Sequence, residues 1–185
     1  SAVLGMLGAI LGYGKDEYTQ RLEWESIQVA IGLCQPLQTF RSALNLLQTK
    51  DSFIRCDEHI QIPFQFLRNP HFRIYIAGLS TALADELAAY LSSGRSVYTV
   101  SLGLAQCLAE LQWVGEWEAQ LMPHGAYITQ TAVPLYDGIN VDYDNCRYYH
   151  RVRIPMRMDN ERVVHNYQEI VLAEDANPIS GNTTV

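Results

Sequence analysis

The stretch from His59 to Gly78, HIQIPFQFLRNPHFRIYIAG, constrains the fold more than any other part of the chain, because its apolar residues recur with a period of two. Ile60, Ile62, Phe64 and Phe66 alternate with His59, Gln61, Pro63 and Gln65, and after Arg68-Asn69-Pro70 the alternation resumes with Phe72, Ile74 and Ile76 against Arg73 and Tyr75. Successive side chains of a strand point to opposite faces, so each run has an apolar face and a polar, basic one. Set in one sheet, the two runs would turn their apolar side to a helix layer and offer His59, Gln61, Arg73 and Tyr75 to a partner. The plainer alternative is a half-solvated sheet.

Segments on either side supply the helix layer. In Ser1 to Gly12, Val3, Leu4, Leu7, Ile10 and Leu11 fall at helical spacing, with Ser1 as a candidate N-cap. Glycines inside a helix cost about 1 kcal/mol each relative to alanine. Here they imply close approach, either to a sheet or to a phosphate at the helix N-terminus. The following Gly12-Tyr13-Gly14-Lys15-Asp16 is not a phosphate-binding P-loop, since Ala9 stands where glycine is required and Asp16 where serine or threonine is. Asp16 to Trp24 reads as a short polar helix, and Ile27, Val29, Ile31 and Leu33 as a strand ending before Pro36. Thr39 to Glu58 interrupts its short apolar runs with polar residues and reads as a protruding hairpin or loop between two core strands. In Ser80 to Leu91 the stripe Leu79, Leu83, Leu87, Leu91 predicts a helix that ends at Gly94.

The order helix, strand, insertion, strand, helix becomes β-α-β-β-α-β if one strand precedes Ser1. Residues 1–122 are therefore expected to form an α+β, ferredoxin-like domain lacking its first strand, with a thumb-like insertion at about 39–58. Leu102 to Glu110 reads as a helical turn, and a last strand runs from Leu111 to about Met122. Beyond it, Ile128–Tyr136, Tyr148–Met158 and Arg162–Leu172 predict a β-rich C-terminal extension over 123–176, and 177–185 a disordered tail.

Charge and composition narrow the chemistry. The net charge of −7 argues against a general nucleic-acid binder. Lys15 and Lys50 are the only lysines, however, so the positive charge is almost all arginine, the side chain suited to bidentate phosphate contacts and base stacking. Arg147, Arg151, Arg153 and Arg157 could share a strand face as a second basic strip. Cys34, Cys56, Cys107 and Cys146 lie far apart with no metal-ligand or redox spacing, so reduced thiols, no metal and no cofactor are expected in a cytoplasmic protein. No apolar run approaches the roughly 18 residues that would span a membrane. No GxSxG, HExxH or paired-carboxylate motif is present, and no catalytic residue is assigned. His59, His71, His124, His150 and His165 keep open a metal-independent ribonuclease, which needs only His, Lys or Tyr around a 2′-hydroxyl.

Three segments, SAVLGMLGAILGY, HIQIPFQFLRNPHFRIYI and SVYTVSLGLAQCLAELQWVGEWE, resemble in order and spacing the CRISPR-associated Cas-five family, most of all its type I-B branch, over most of residues 1–122. The resemblance implies a ferredoxin-like, RRM-related fold of the repeat-associated (RAMP) superfamily. It implies a non-catalytic subunit that caps the 5′ handle of the crRNA in a Cascade complex, in antiviral defence or RNA-guided DNA targeting. The implied partners are the crRNA, the Cascade backbone subunits, the large subunit and, through the complex, target DNA. Family members begin with a β-strand and a proline-containing loop that this sequence lacks. Thr39 to Glu58 matches the family's thumb-like hairpin, which makes Arg41, Lys50 and Arg55 its RNA contacts and Ser1 a phosphate contact. Gln61, Arg68 and Arg73 are added from the polar strand face. Two alternatives stand beside this expectation: a type I-C-like endoribonuclease using Tyr, Lys and His, and a connector that touches protein alone.

Overall fold

The computed structural model describes residues 2–22, 26–47, 59–159, 161 and 163–184. In chain order the first part comprises α1 (Ala2–Leu11), α2 (Tyr18–Arg21), β1 (Gln28–Leu33), β2 (Thr39–Leu47), β3 (His59–Leu67), β4 (Phe72–Ala77) and α3 (Thr81–Ser92). The expected stripe of α1 is buried: Val3, Leu4, Leu7, Ile10 and Leu11 form one cluster with Leu22, Leu87 and Val100. Leu79, Leu83 and Leu91 pack against it from α3 and its lead-in, as their four-residue spacing requires. Ile27, Ile31 and Ile76 reach it from the β1/β4 side. At Gly8 the helix meets α2 closely, since an added Cβ would lie 2.8 Å from Cβ of Tyr18.

The two alternating runs do not lie side by side in one sheet. β4 pairs antiparallel with β1, from Gln28↔Ala77 to Leu33↔Phe72. β3 pairs antiparallel with β2, from Leu47↔His59 to Thr39↔Leu67. The chain does not reverse between β3 and β4, so the pairs follow one another along a ribbon. A joint separates them, in which residues 34–38 face residues 68–71. It is closed at one end by the Cys34 N–H donating to the His71 carbonyl (2.9 Å) and at the other by the Arg68 N–H donating to the Gln38 carbonyl (2.7 Å). The extra residue on the first side acts as a bulge, a device that bends a strand pair.

The apolar face of β3 consequently meets no helix layer. The helices cover β1/β4, whereas β2 and β3 pack chiefly on each other, leaving Phe40, Leu46 and Ile60 exposed. Thr39–Leu47 and His59–Leu67 are the two arms of one hairpin, which makes His59–Leu67 part of the protruding insertion and not a core strand.

Two further expectations fail between α3 and the C-terminal strands. Residues 102–107 form a tight turn, closed by the Leu102 N–H on the Cys107 carbonyl (2.8 Å) and the Ser101↔Leu108 bridge, and not a helical turn. The Leu111–Met122 segment pairs with no described strand. Its alternation is nevertheless real, with Leu111, Trp113 and Gly115 half-buried and Gln112, Val114 and Glu116 exposed.

The C-terminal part contains β5 (Gly125–Thr129), β6 (Val133–Pro134), β7 (Ile139–Val141), β8 (Tyr149–Met158), β9 (Val164–Ala173) and β10 (Ile179–Thr183). They form two three-stranded sheets, ordered β5-β10-β7 and β6-β9-β8, around Val133, Val171, Ala173 and Ile179. The tail expected to be disordered is thus the central strand of a sheet, and Ile179 is only 2% exposed. Its polar composition, Ser180-Gly181-Asn182-Thr183, concealed a strand whose backbone is paired on both edges. This part docks on β1 through the Ala132 N–H on the Ile31 carbonyl (2.7 Å), and on the joint through the Leu37 N–H on the Glu174 carbonyl (2.8 Å). The chain is α+β, its described strands all pair antiparallel, and no described helix is long and apolar enough to cross a membrane.

Candidate nucleic-acid interface

The β2/β3 ribbon assigns every side chain along it to one of two faces. One face carries Arg41 opposite Gln65 and Asn45 opposite Gln61, with Thr39, Ala43, Pro63 and His59 between and beyond them. The other carries Phe40 opposite Phe66, Ser42 opposite Phe64, Leu44 opposite Ile62 and Leu46 opposite Ile60. Arg41 and Gln61 therefore share a face, separated by roughly 14 Å at 3.4 Å per residue. Arg68 does not join them. Its rung with Gln38 continues the β2/β3 register, which places it on the face of Phe40 and Phe66.

Arg73 lies apart, on β4 opposite Gly32. Together with Tyr75, Cys34, Gln130 and Ala176 it lines an open cavity of about 210 Å³ where β1/β4 meets the C-terminal sheets. Of the other expected contacts, Ser1, Lys50 and Arg55 lie outside the described residues.

Pairing sorts the arginines more sharply than position does. Arg147 chelates Asp175, Arg151 pairs with Glu169, Arg21 lies 3.9 Å from Glu17, and Arg153 sits 4.4 Å over the Tyr167 ring. The second basic strip is thereby largely committed to its own sheet. Arg147 stands before β8 begins. By contrast the guanidinium groups of Arg41, Arg68 and Arg73 have no hydrogen-bond or ion-pair partner among the described residues. A solvated guanidinium with its fork of donors uncommitted can take a phosphate without first breaking an internal pair.

Acidic residues are distributed to the same effect. Residues 26–47 and 59–84 contain no Asp or Glu, in a chain that carries 20 of them, and they hold Arg41, Arg68 and Arg73. Asp51, Asp57 and Glu58 fall between the hairpin arms, outside the described residues. Among the described residues no three His, Cys, Asp or Glu side chains gather as metal ligands would.

Sequence reasoning missed Phe40, Phe64 and Phe66, because alternation was read as burial on one side. The signal that could have found them is the length match of two runs, TFRSALNLL and HIQIPFQFL, on either side of residues 48–58, with Phe40 and Phe66 falling at mirrored positions of the two arms. No protein-family model matches the chain, and no curated protein matches its sequence.

Proposed function

We propose that this chain is a non-catalytic RNA-binding subunit of a type I CRISPR Cascade complex, which caps the 5′ handle of the crRNA and bridges the large subunit to the backbone subunits. The observation that carries the reading is the β2/β3 ribbon. It extends from the helix-covered β1/β4 pair, which supports reading it as a thumb-like hairpin of the kind the Cas-five family carries, and its described residues carry no acid. The ferredoxin-like arrangement belongs to this proposal as well: α1 and α3 lying together against β1/β4 correspond to its two helices and two of its strands.

The chemistry suits a local cap. Single-stranded RNA is recognised by splayed bases, stacking and 2′-hydroxyl contacts rather than through a groove. A chain of net charge −7 serves that role when neighbouring subunits neutralise most phosphates and this one supplies a few arginines in a defined geometry.

The test is to co-express the chain with its genomic neighbours, purify by a tag on this subunit, and sequence the 5′ ends of the RNA recovered. One population beginning with a single short repeat-derived tag is the expected result. No RNA, or heterogeneous ends, overturns the reading in favour of a protein-only connector. A specific cut of repeat RNA by the purified chain in EDTA overturns its non-catalytic part.

A further inference from the structure

The uncovered face of the β2/β3 ribbon is not uniform. Toward the tip it is aliphatic, with Leu44, Leu46, Ile60 and Ile62. At the base it is aromatic. The rings of Phe40 and Phe66 stack across the strands with centroids 5.3 Å apart and planes 21° apart, and Phe64 follows 5.9 Å from Phe66. Phe40 remains 46% exposed. The next rung on this face is Gln38 with Arg68, both exposed, so a residue whose guanidinium has no partner among the described residues stands one rung from the rings.

An exposed apolar patch marks an interaction surface, and the chemistry of this one selects its occupant. Aromatic rings and arginines serve protein interfaces too; here the uncommitted guanidinium of Arg68, on the rung beside the rings, favours an anionic occupant that carries rings of its own. A single-stranded nucleic acid needs both things found here. Its bases stack on aromatic rings, and its phosphates need a cation beside the stack with no anion near. The same face of the ribbon supplies rings and then a guanidinium residue, on two arms, 39–47 and 59–67, that carry no acid themselves.

We infer that the aromatic base of the ribbon is a stacking platform for unpaired bases of single-stranded RNA, with Phe40 and Phe66 under the bases and Arg68 on the adjoining phosphodiester. The inference rests on the RNA-binding reading above and goes further by assigning base contact to the Phe40/Phe66 face and not to the Arg41/Gln61 face. The aliphatic half lies beyond the platform and takes no base.

The test uses the co-purified complex. Ultraviolet irradiation followed by protease digestion and mass spectrometry should place nucleotide adducts on Phe40, Phe66 or Phe64. In parallel, Phe40→Leu combined with Phe66→Leu, which keeps apolar bulk while removing the rings, should speed release of the RNA by about tenfold or more. Phe40→Tyr, which keeps the ring, should release it at the wild-type rate, and so should Leu44→Ala. Adducts confined to the Arg41/Gln61 face overturn the platform, as does wild-type release from the double-leucine complex. Loss of a neighbouring protein subunit from that variant with its RNA retained assigns the face to a protein and overturns the platform too. In each of these outcomes the complex still carries RNA and the broader reading stands. A wild-type complex without RNA overturns both.

Discussion

The Arg147 guanidinium holds both oxygens of Asp175, Nε donating to Oδ2 and Nη2 to Oδ1, each at 2.8 Å. Nη1 and Nη2 also donate to the carbonyls of Pro178 and Asn177 at 2.9 Å, and the guanidinium carbon lies 5.3 Å from the Tyr149 ring centre. This fork fastens the segment before β8 to the turn that leads into β10. It explains how a polar terminal segment is held as the middle strand of a sheet.

Asp175 links that latch to pH. The hydrogen bond from Arg147 holds its carboxyl well below the usual carboxylate range, with the Asn177 N–H adding to the effect. A carboxyl depressed in the folded state stabilises the fold above its unfolded value, near pH 4, and that contribution is lost as pH falls further toward the folded value. Asp175→Asn should therefore lower Tm at neutral pH and flatten the decline of Tm below about pH 4. Thermal melts across the acid range check this; parallel wild-type and variant curves would show that the latch adds no stability.

Arg41 and Arg147 should behave oppositely when truncated. Arg41 is exposed and unpartnered, so Arg41→Ala should leave Tm unchanged and reduce the salt dependence of RNA retention in the complex, by a slope of about 0.7 for one single-strand phosphate contact. Arg147→Ala should lower Tm and leave that slope alone. Measuring RNA retention against salt for both complexes separates the roles, and an unchanged slope for Arg41→Ala removes it from the interface.

Leu87 is the most deeply buried residue of α3, at 4% exposure. Leu87→Ala should cost about 2–5 kcal/mol in urea unfolding, while Leu83→Ala, at a half-buried position on the same stripe, should cost less. Equal costs would mean that the stripe faces the core differently.

Gly78 and Gly94 both have positive φ, +80° and +64°, but their surroundings differ. A Cβ on Gly78 would lie 1.9 Å from the Ser26 carbonyl oxygen, whereas one on Gly94 would meet nothing within 4 Å. Gly94→Ala should cost only the left-handed conformation, about 1–2 kcal/mol. Gly78→Ala should abolish folded expression, because its obstacle is backbone beside β1. Soluble yield and Tm of the pair decide it, and equal behaviour would refute the close approach.

Much of the element pattern was legible because periodicity is a local property. The α1 stripe, the Leu79–Leu91 spacing, the Ile27–Leu33 strand and the alternation from His59 to Ile76 all stand at the expected positions. The alternation showed that His59–Leu67 would be a strand with one apolar face, and it marked Gln61 as a polar-face residue. It carried no information about what would cover the apolar face. The reading that something must cover it led to the misplaced core strand and to the overlooked rings of Phe40, Phe64 and Phe66.

By itself, then, the sequence determined which residues share a face along each periodic run and where the two long helices lie, since each follows from backbone geometry over a few neighbours. Pairing was decided only in three dimensions. β3 joined β2 and not β4 because the chain runs on through 68–71 without reversing, and β10 became a strand because β5 and β7 satisfy its backbone and Arg147 fastens the turn before it. Hydrogen bonds between distant segments leave no periodic trace in either partner, so which arginines are latched and which stand free could be read only from the tertiary structure.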